Sequence, residues 1–133
     1  MSYKLKVAEK DVLGKAKYVN EKGKTECVEF VRQAAGAPKT ADWKKGKKVL
    51  DAKFGEVARG TAIATFDADG KYPADTLGKH AAIYLSHDTI CIRVLDQWNG
   101  QGEVKPRPIW FSRPAGITRE NNADTFYVIE NLR

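Results

Sequence analysis

The chain has 133 residues, of which 42% are hydrophobic and 30% charged. This balance is typical of one globular domain over residues 1–133 and excludes a disordered chain or a repeat array. No apolar run approaches the roughly 20 residues that a membrane-spanning helix needs. The amino-terminal segment MSYKLKVAEKD lacks the apolar stretch of a Sec signal peptide. We therefore expect a single domain that is neither inserted in a membrane nor exported by the Sec route.

The net charge of +6 is concentrated in residues 39–53, which hold six lysines and two aspartates. A lysine run without arginine most often forms a solvated face, and the alternative is attraction to a polyanion such as nucleic acid or an acidic cell envelope. Nucleic-acid recognition favours arginine forks and stacked aromatic rings, whereas Trp43 is the one aromatic residue in this stretch. The pattern therefore favours a solvated face, and nucleic acid is not expected as a partner.

The first predicted element is a helix over residues 25–35. Thr25 can cap its amino terminus, apolar residues recur at spacings of three and four, and a glycine and a proline end the pattern. Residues 39–59 are mixed and basic, with a short helical turn over 40–45 and Trp43 folded back onto the core.

Beyond residue 60 the sequence becomes typical of β-strands. We predict strands over 61–66, 80–86, 90–98, 106–112 and 124–130. Short turns join most of them, so the order predicts an antiparallel meander of four or five strands. Two prolines near the start of the strand over 106–112 place it at a sheet edge. The predicted fold class is α+β, with the helix packed on one face of the sheet.

The cysteines and histidines do not have the spacing of a metal site. Cys27 and Cys91 belong to no CxxC pair, and His80 and His87 fit no short metal motif. We expect no metal and no cofactor. A disulfide between the two cysteines remains an alternative if the chain works outside the cytoplasm.

Cys27 lies in the first turn of the predicted helix. Exposed backbone N–H groups and the helix dipole favour a thiolate there, and the same N–H groups can hold an oxyanion during acyl transfer. The position suits a nucleophile. It also suits a small buried apolar residue, and composition alone slightly favours that alternative.

His80 and Asp96 are predicted to meet across a hairpin. A tight turn at 87–89 places the start of one strand beside the end of the next, so Asp96 can orient the imidazole of His80. Gln97 is the alternative orienting residue, and a solvated carboxylate at a strand end is the alternative for Asp96. His87 is predicted to be a turn residue at the hairpin tip.

Two segments resemble papain-fold cysteine peptidases of the CHAP and NlpC type, in which a helix-start cysteine is followed by a strand reading His-x-Ala-Ile-Tyr. They are CVEFV, which contains Cys27, and HAAIY, which begins at His80. More narrowly, GTAIATFDADGKY, KHAAIYLS and LDQWNGQ resemble the small bacterial BPSL0067-family proteins, and this resemblance extends over about residues 26–130. It implies a papain-like fold in which the cysteine-bearing helix packs on an antiparallel sheet of about five strands.

By this resemblance Cys27 is the nucleophile, His80 the general base and Asp96 the orienting residue of a hydrolase that cuts amide bonds in peptidoglycan peptides. It also implies an antibacterial effector, made in the bacterial cytoplasm and delivered by type VI secretion into the periplasm of a target cell. The implied partners are the peptidoglycan peptide and a cognate immunity protein, and we expect no membrane partner and a monomeric free protein. Tyr18 corresponds to an NlpC-type tyrosine that assists the oxyanion site.

The chain departs from these families at two places. Glu26 precedes the cysteine where NlpC proteins usually have Asp, and residues 96–99 read DQWN where CHAP proteins often have Glu-x-Asn. The second departure leaves Asp96 and Gln97 both open as the third residue. Two other functions also remain open: an inactive papain-like module that binds cell wall or a partner protein, and a basic nucleic-acid-binding domain. A quickly alkylated Cys27 would distinguish the enzyme from the inactive module.

Overall fold

A computed structural model describes residues 2–131 and contains, within them, one α-helix and a six-stranded antiparallel sheet. The helix and strands are α1 Cys27–Ala35, β1 Lys44–Lys48, β2 Ala62–Thr65, β3 Ala81–His87, β4 Cys91–Asp96, β5 Lys105–Trp110 and β6 Phe126–Glu130. Short 3-10 helices lie at Glu9–Asp11, Thr40–Asp42, Val49–Asp51, Arg119–Asn121 and Ala123–Thr125. The α+β class and the antiparallel sheet predicted from the sequence are confirmed.

The strand order is β1-β6-β2-β3-β4-β5, which differs from a simple meander. Strands β2 to β5 follow one another as predicted, but β6 returns to pair with β2, and β1 pairs with the outer side of β6. The sequence analysis missed β1 because it reads KKGKK and has no apolar alternation. Its exposed lysines are common on an edge strand, where they oppose pairing with other chains. At the opposite edge lies β5, as its prolines indicated.

Helix α1 begins two residues later than predicted, so Cys27 is its first residue. Glu26 is the N-cap, and its side chain makes no capping hydrogen bond within the described part of the chain. Thr25 is not the cap, because it lies one residue before the N-cap, and its hydroxyl donates instead to the backbone carbonyl of Trp98 at 3.4 Å. At the other end Gly36 takes a left-handed conformation, with φ of 75°, which terminates the helix.

Two apolar layers enclose the sheet. The first lies between α1 and one face, and includes Phe30, Val31, Ile83 and Leu95. The second lies under the loops and 3-10 helices on the other face, and includes Val49, Ile63, Ile92 and Phe126. Trp43 belongs to the first layer, as predicted, and its indole N–H donates to the carbonyl of Pro38 at 2.7 Å. Burial of both faces fixes the strand ends that carry the polar residues described next.

Among residues 2–131 there is no helix whose length and apolarity would suit it to cross a membrane. Both cysteines are free thiols, so the disulfide considered for Cys27 and Cys91 is not formed.

Candidate active site

Cys27, His80 and Asp96 meet where the amino terminus of α1 lies over one end of the sheet. Cys27 opens α1, His80 directly precedes β3, and Asp96 is the last residue of β4. Because α1 packs on β3, and β3 pairs with β4, the three positions converge. Nε2 of His80 lies 2.7 Å from Oδ2 of Asp96, and the thiol of Cys27 lines the same cavity as this ring, whose interaction with it lowers the pKa of the thiol. The structure therefore brings together the three residues selected from the sequence.

The ring of His80 is positioned to link the other two groups. His80 is only 4% exposed and Asp96 is fully buried. Since Nε2 faces the carboxylate, Nδ1 is the ring atom left for the thiol. A neutral ring carries one N–H, so donation from Nε2 to Asp96 leaves the lone pair of Nδ1 free to accept the proton of Cys27.

The environment favours the ionised pair. Burial alone would lower the pKa of His80, but hydrogen bonds to Asp96 and Cys27, together with their charges, raise the pKa to about 9. Burial alone would raise the pKa of Cys27, but His80, Tyr72 and the backbone N–H of Ala81 hold that pKa below its ordinary value. Both shifts favour transfer of the thiol proton to the imidazole, which gives a thiolate–imidazolium pair.

Tyr72 is a site residue that the sequence analysis did not find. Its hydroxyl lies 3.7 Å from Sγ of Cys27, and its ring packs edge-on against Trp43 with centroids 5.0 Å apart. Burial and the neighbouring thiolate raise the pKa of Tyr72, so its hydroxyl stays protonated and can donate to the sulfur. Tyr18, in contrast, packs in the core on Phe30, with ring centroids 5.2 Å apart. The tyrosine hydroxyl beside the thiol is thus that of Tyr72.

Gln97 has a different neighbourhood from Asp96, although both are buried. Its Nε2 donates to the backbone carbonyls of Tyr18 and Glu26, at 2.7 and 2.9 Å. Glu26 is the residue just before Cys27, so Gln97 ties the start of α1 to the end of β4. Asp96 is the side chain that reaches the imidazole.

Arg107 also contacts Asp96 and was not selected from the sequence. Its Nε donates to Oδ2 at 2.6 Å, the same oxygen that faces His80, and its guanidinium lies 5.0 Å over the ring of Trp98. Arg107 belongs to β5, whose pairing with β4 places it near Asp96. Finding it from the sequence would have required that register. Two donors on one oxygen fix the orientation of the carboxylate.

A cleft extends on both sides of Cys27, with Lys79 and Trp98 at the border between its two halves. The half on the His80 side has a volume of about 360 Å³ and is lined further by Arg107, Glu120 and Asn121. The other half has a volume of about 470 Å³ and contains Tyr72, Thr40 and Asn99 in its lining. These volumes suit small ligands or a few residues of a peptide, and a chain lying along the cleft would cross the thiol.

No cluster of three or more His, Cys, Asp or Glu side chains with the arrangement of a metal site occurs among the residues that the structure describes. His87 lies at the end of β3 rather than in the turn. Its ring is hydrogen-bonded to the hydroxyl of Tyr84 at 2.6 Å and to the carbonyl of Ala52 at 3.0 Å. These contacts hold the His87 ring on the face of the sheet opposite α1, which indicates a structural role.

Residues 4–129 match the sequence model of the family Domesticated amidase effector 2. The chain belongs to this family. The prediction of an amidase effector, made from the resemblance to papain-fold peptidases, is therefore confirmed.

Two relatives and one solved structure agree with this assignment. The chain is 32% identical over 115 residues to the Type VI secretion amidase effector 2 protein of Salmonella typhi, covering 79% of this chain and 84% of that protein. It is 39% identical over 112 residues to Domesticated amidase effector 2 of Ixodes scapularis, covering 80% of this chain and 72% of the relative. Its fold matches a solved structure of type 6 secretion amidase effector 2 with a TM-score of 0.78 and 27% identity, covering 97% of this chain and 95% of that one.

Proposed function

We propose that this protein is a cysteine amidase that hydrolyses amide bonds in peptidoglycan peptides. In this proposal Cys27 is the nucleophile, His80 the general acid and base, and Asp96 the residue that orients the imidazole. The main support is the array in which Nε2 of His80 lies 2.7 Å from Oδ2 of Asp96 while the thiol of Cys27 lines the same cavity as the His80 ring. This array lies at the centre of a cleft, in a chain of an amidase effector family.

The reaction proceeds in two stages. The Cys27 thiolate attacks the carbonyl carbon of the amide, a C–S bond forms, and the carbonyl oxygen becomes an oxyanion. His80 gives its proton to the amide nitrogen, the C–N bond breaks, and an amine leaves a thioester behind. His80 then takes a proton from water, the hydroxide attacks the thioester, and the C–S bond breaks. The products are one amine and one carboxylate, and the thiolate is regenerated.

Two donors are available to the oxyanion. The backbone N–H of Cys27 is at the first position of α1 and has no partner within the helix. The hydroxyl of Tyr72, 3.7 Å from the sulfur, is the second donor near the reacting carbon. Donors that are fixed before the reaction stabilise the charge that develops in the transition state.

The hydrolytic activity is tested with purified sacculi from a Gram-negative bacterium. Each cut amide yields one new primary amine, so the wild type should release soluble peptide and amines in step, whereas Cys27→Ala should release neither. New reducing sugar ends without amines would instead indicate cleavage of the glycan. Binding to sacculi without any release would support the inactive module.

We further infer that the protein acts as an antibacterial effector, delivered by type VI secretion into the periplasm of a target cell and neutralised by an immunity protein in its producer. The relative from Salmonella typhi is named a type VI secretion effector, which supports this route. Because the relative from Ixodes scapularis is named a domesticated effector, family membership alone does not specify the route.

The site of action is tested by expression in a Gram-negative host with and without a cleavable export signal. The wild type should lyse cells only when exported, and exported Cys27→Ala should be tolerated. Equal toxicity of both variants would indicate a binding effect rather than hydrolysis. Killing from the cytoplasm alone would contradict a periplasmic target.

A further inference from the structure

We propose that the half of the cleft on the His80 side is a subsite for an ionised carboxylate of the substrate, bound by Arg107 and Lys79. This inference rests on the proposed amidase function and specifies its substrates: amides flanked by a residue that carries a free carboxylate. The two cations line the same cavity as Cys27 and His80. A carboxylate bound there therefore lies close to the amide under attack.

Arg107 has N–H groups that are free to bind a ligand. Its Nε is bound to Asp96, and no acceptor among residues 2–131 pairs with its two terminal amino groups. Its side chain is 22% exposed and lines the cavity, and its guanidinium plane is held against the ring of Trp98. A guanidinium that is held in place and presents two unpaired terminal amino groups can bind a carboxylate through two parallel N–H···O bonds.

Lys79 supplies the second positive charge. It is exposed at the border of the two halves of the cleft, and its ammonium lies 5.9 Å from the centroid of the Tyr72 ring. Within the described chain no carboxylate lies within ion-pair distance of this ammonium. Lys79 can therefore reach a ligand on either side without first breaking an ion pair.

Among residues 2–131 the carboxylate of Glu120 forms no ion pair with Arg107 or Lys79. Glu120 lines the same cavity, and its Oε1 is buried against the backbone of Gly78. Glu120 and Asp96, which is paired with Nε of Arg107, together balance the charges of the two cations. The attraction for a carboxylate therefore comes from the unpaired terminal amino groups of Arg107 and from the unpaired ammonium of Lys79, which face the cavity, and not from a net charge. A substrate carboxylate is favoured there over its neutral carboxamide, because the carboxamide has no charge and adds an N–H₂ group that faces donors.

The subsite is tested with pairs of muropeptides that the wild type cleaves in the sacculus assay. In each pair the carboxylate next to the cleaved amide is either free or converted to a carboxamide. We expect kcat/KM of the wild type to be roughly 10- to 100-fold higher for the free carboxylate, the range that hydrogen bonds to charged groups produce. Lys79→Met and Arg107→Lys should each reduce this ratio several-fold. The exposed Lys45, which lies over the ring of Tyr127 outside the cleft, provides the control Lys45→Met, which should keep the wild-type ratio.

Two results would overturn the subsite. Equal cleavage of both members of every pair by the wild type would show that the carboxylate is not recognised, while the amidase function would stand. A preference that Lys79→Met and Arg107→Lys both leave unchanged would place carboxylate recognition elsewhere. Failure of the wild type to cleave any peptide in sacculi would instead refute the amidase function itself, so the two failures are distinguishable.

Discussion

The hydroxyl of Tyr72 lies 3.7 Å from the sulfur of Cys27, although the two residues are 45 positions apart in the chain. Tyr72 comes from the loop before β3, and its ring is held by Trp43. A phenol that remains protonated stabilises a thiolate by donating a hydrogen bond to it. The thiolate form of Cys27 is therefore stabilised from two sides, by the imidazole of His80 and by this hydroxyl.

Replacement of Tyr72 by Phe should raise the pKa of Cys27, because it removes one donor and leaves the packing on Trp43 intact. The rate of alkylation of Cys27 by iodoacetamide, followed against pH, should shift its midpoint upwards. Tyr127→Phe is the matched control, since Tyr127 packs on Phe66 and carries Lys45 over its ring, away from the thiol. An unchanged midpoint in Tyr72→Phe would show that the hydroxyl does not support the thiolate.

The two cysteines should differ strongly in reactivity. Cys91 is 2% exposed, and burial raises its pKa, whereas the pKa of Cys27 is lowered and its side chain is partly exposed. A short pulse of iodoacetamide near neutral pH should label Cys27 about 100-fold faster, because the thiolate is the reactive form. Peptide mapping measures the ratio. Equal or reversed labelling would contradict Cys27 as the nucleophile.

The pH profile of kcat/KM should be bell-shaped. Below the lowered pKa of Cys27 the nucleophile is protonated, so the rate falls on the acid side. Above the pKa of His80, about 9, the proton needed by the leaving amine is lost, so the rate falls on the alkaline side. A rate that continues to increase well above pH 9 would contradict an imidazolium as the general acid.

Asp96→Asn should move the alkaline limb of this pH profile to lower pH, since it weakens the interaction that raises the pKa of His80.

Asp96 and Gln97 should differ in what their replacement changes. Asp96→Asn keeps an acceptor for the imidazole N–H but loses the charge, so kcat should fall by about 10- to 100-fold, the range known for losing a carboxylate that orients a metal-bound histidine. Gln97→Met leaves two buried carbonyls without their donor, so the free energy of unfolding should fall by about 1–3 kcal/mol. Urea denaturation and hydrolysis of muropeptides measure the two effects.

If Gln97 rather than Asp96 orients the imidazole, the variants should behave in the opposite way. If Gln97→Ala were inactive while folded and Asp96→Ala were fully active, the orienting role would belong to Gln97. The exposed Gln33, which donates to the carbonyl of Val19 on the surface, provides a control for the stability measurement. Gln33→Met should change the free energy of unfolding by much less than Gln97→Met, because water replaces its lost partner.

The sequence was informative wherever a local pattern reports on burial. Apolar spacing of three and four predicted α1, alternation predicted β4, and a β-typical run over residues 80–86 predicted β3. The hairpin between those strands then predicted that Asp96 would lie near His80. In contrast, β1 was missed because edge position and exposed lysines remove the alternation.

Tyr72 and Arg107 were missed for a different reason. Tyr72 lies in a loop with turn chemistry, so no periodicity indicates where its hydroxyl points. Arg107 reaches Asp96 only through the register between β4 and β5. Contacts of this kind depend on tertiary packing, which a single sequence does not report.

The most direct test of the central claim is mass spectrometry of purified muropeptides incubated with the wild type and with Cys27→Ala or His80→Ala. We predict that the wild type splits a muropeptide into two products whose masses sum to that of the substrate plus one water. Both variants should remain folded and lower the rate by at least about 1,000-fold, because either loss removes the covalent route. Muropeptides left intact by the wild type, or the same products formed at the wild-type rate by Cys27→Ala, would contradict the claim that Cys27 performs amide hydrolysis.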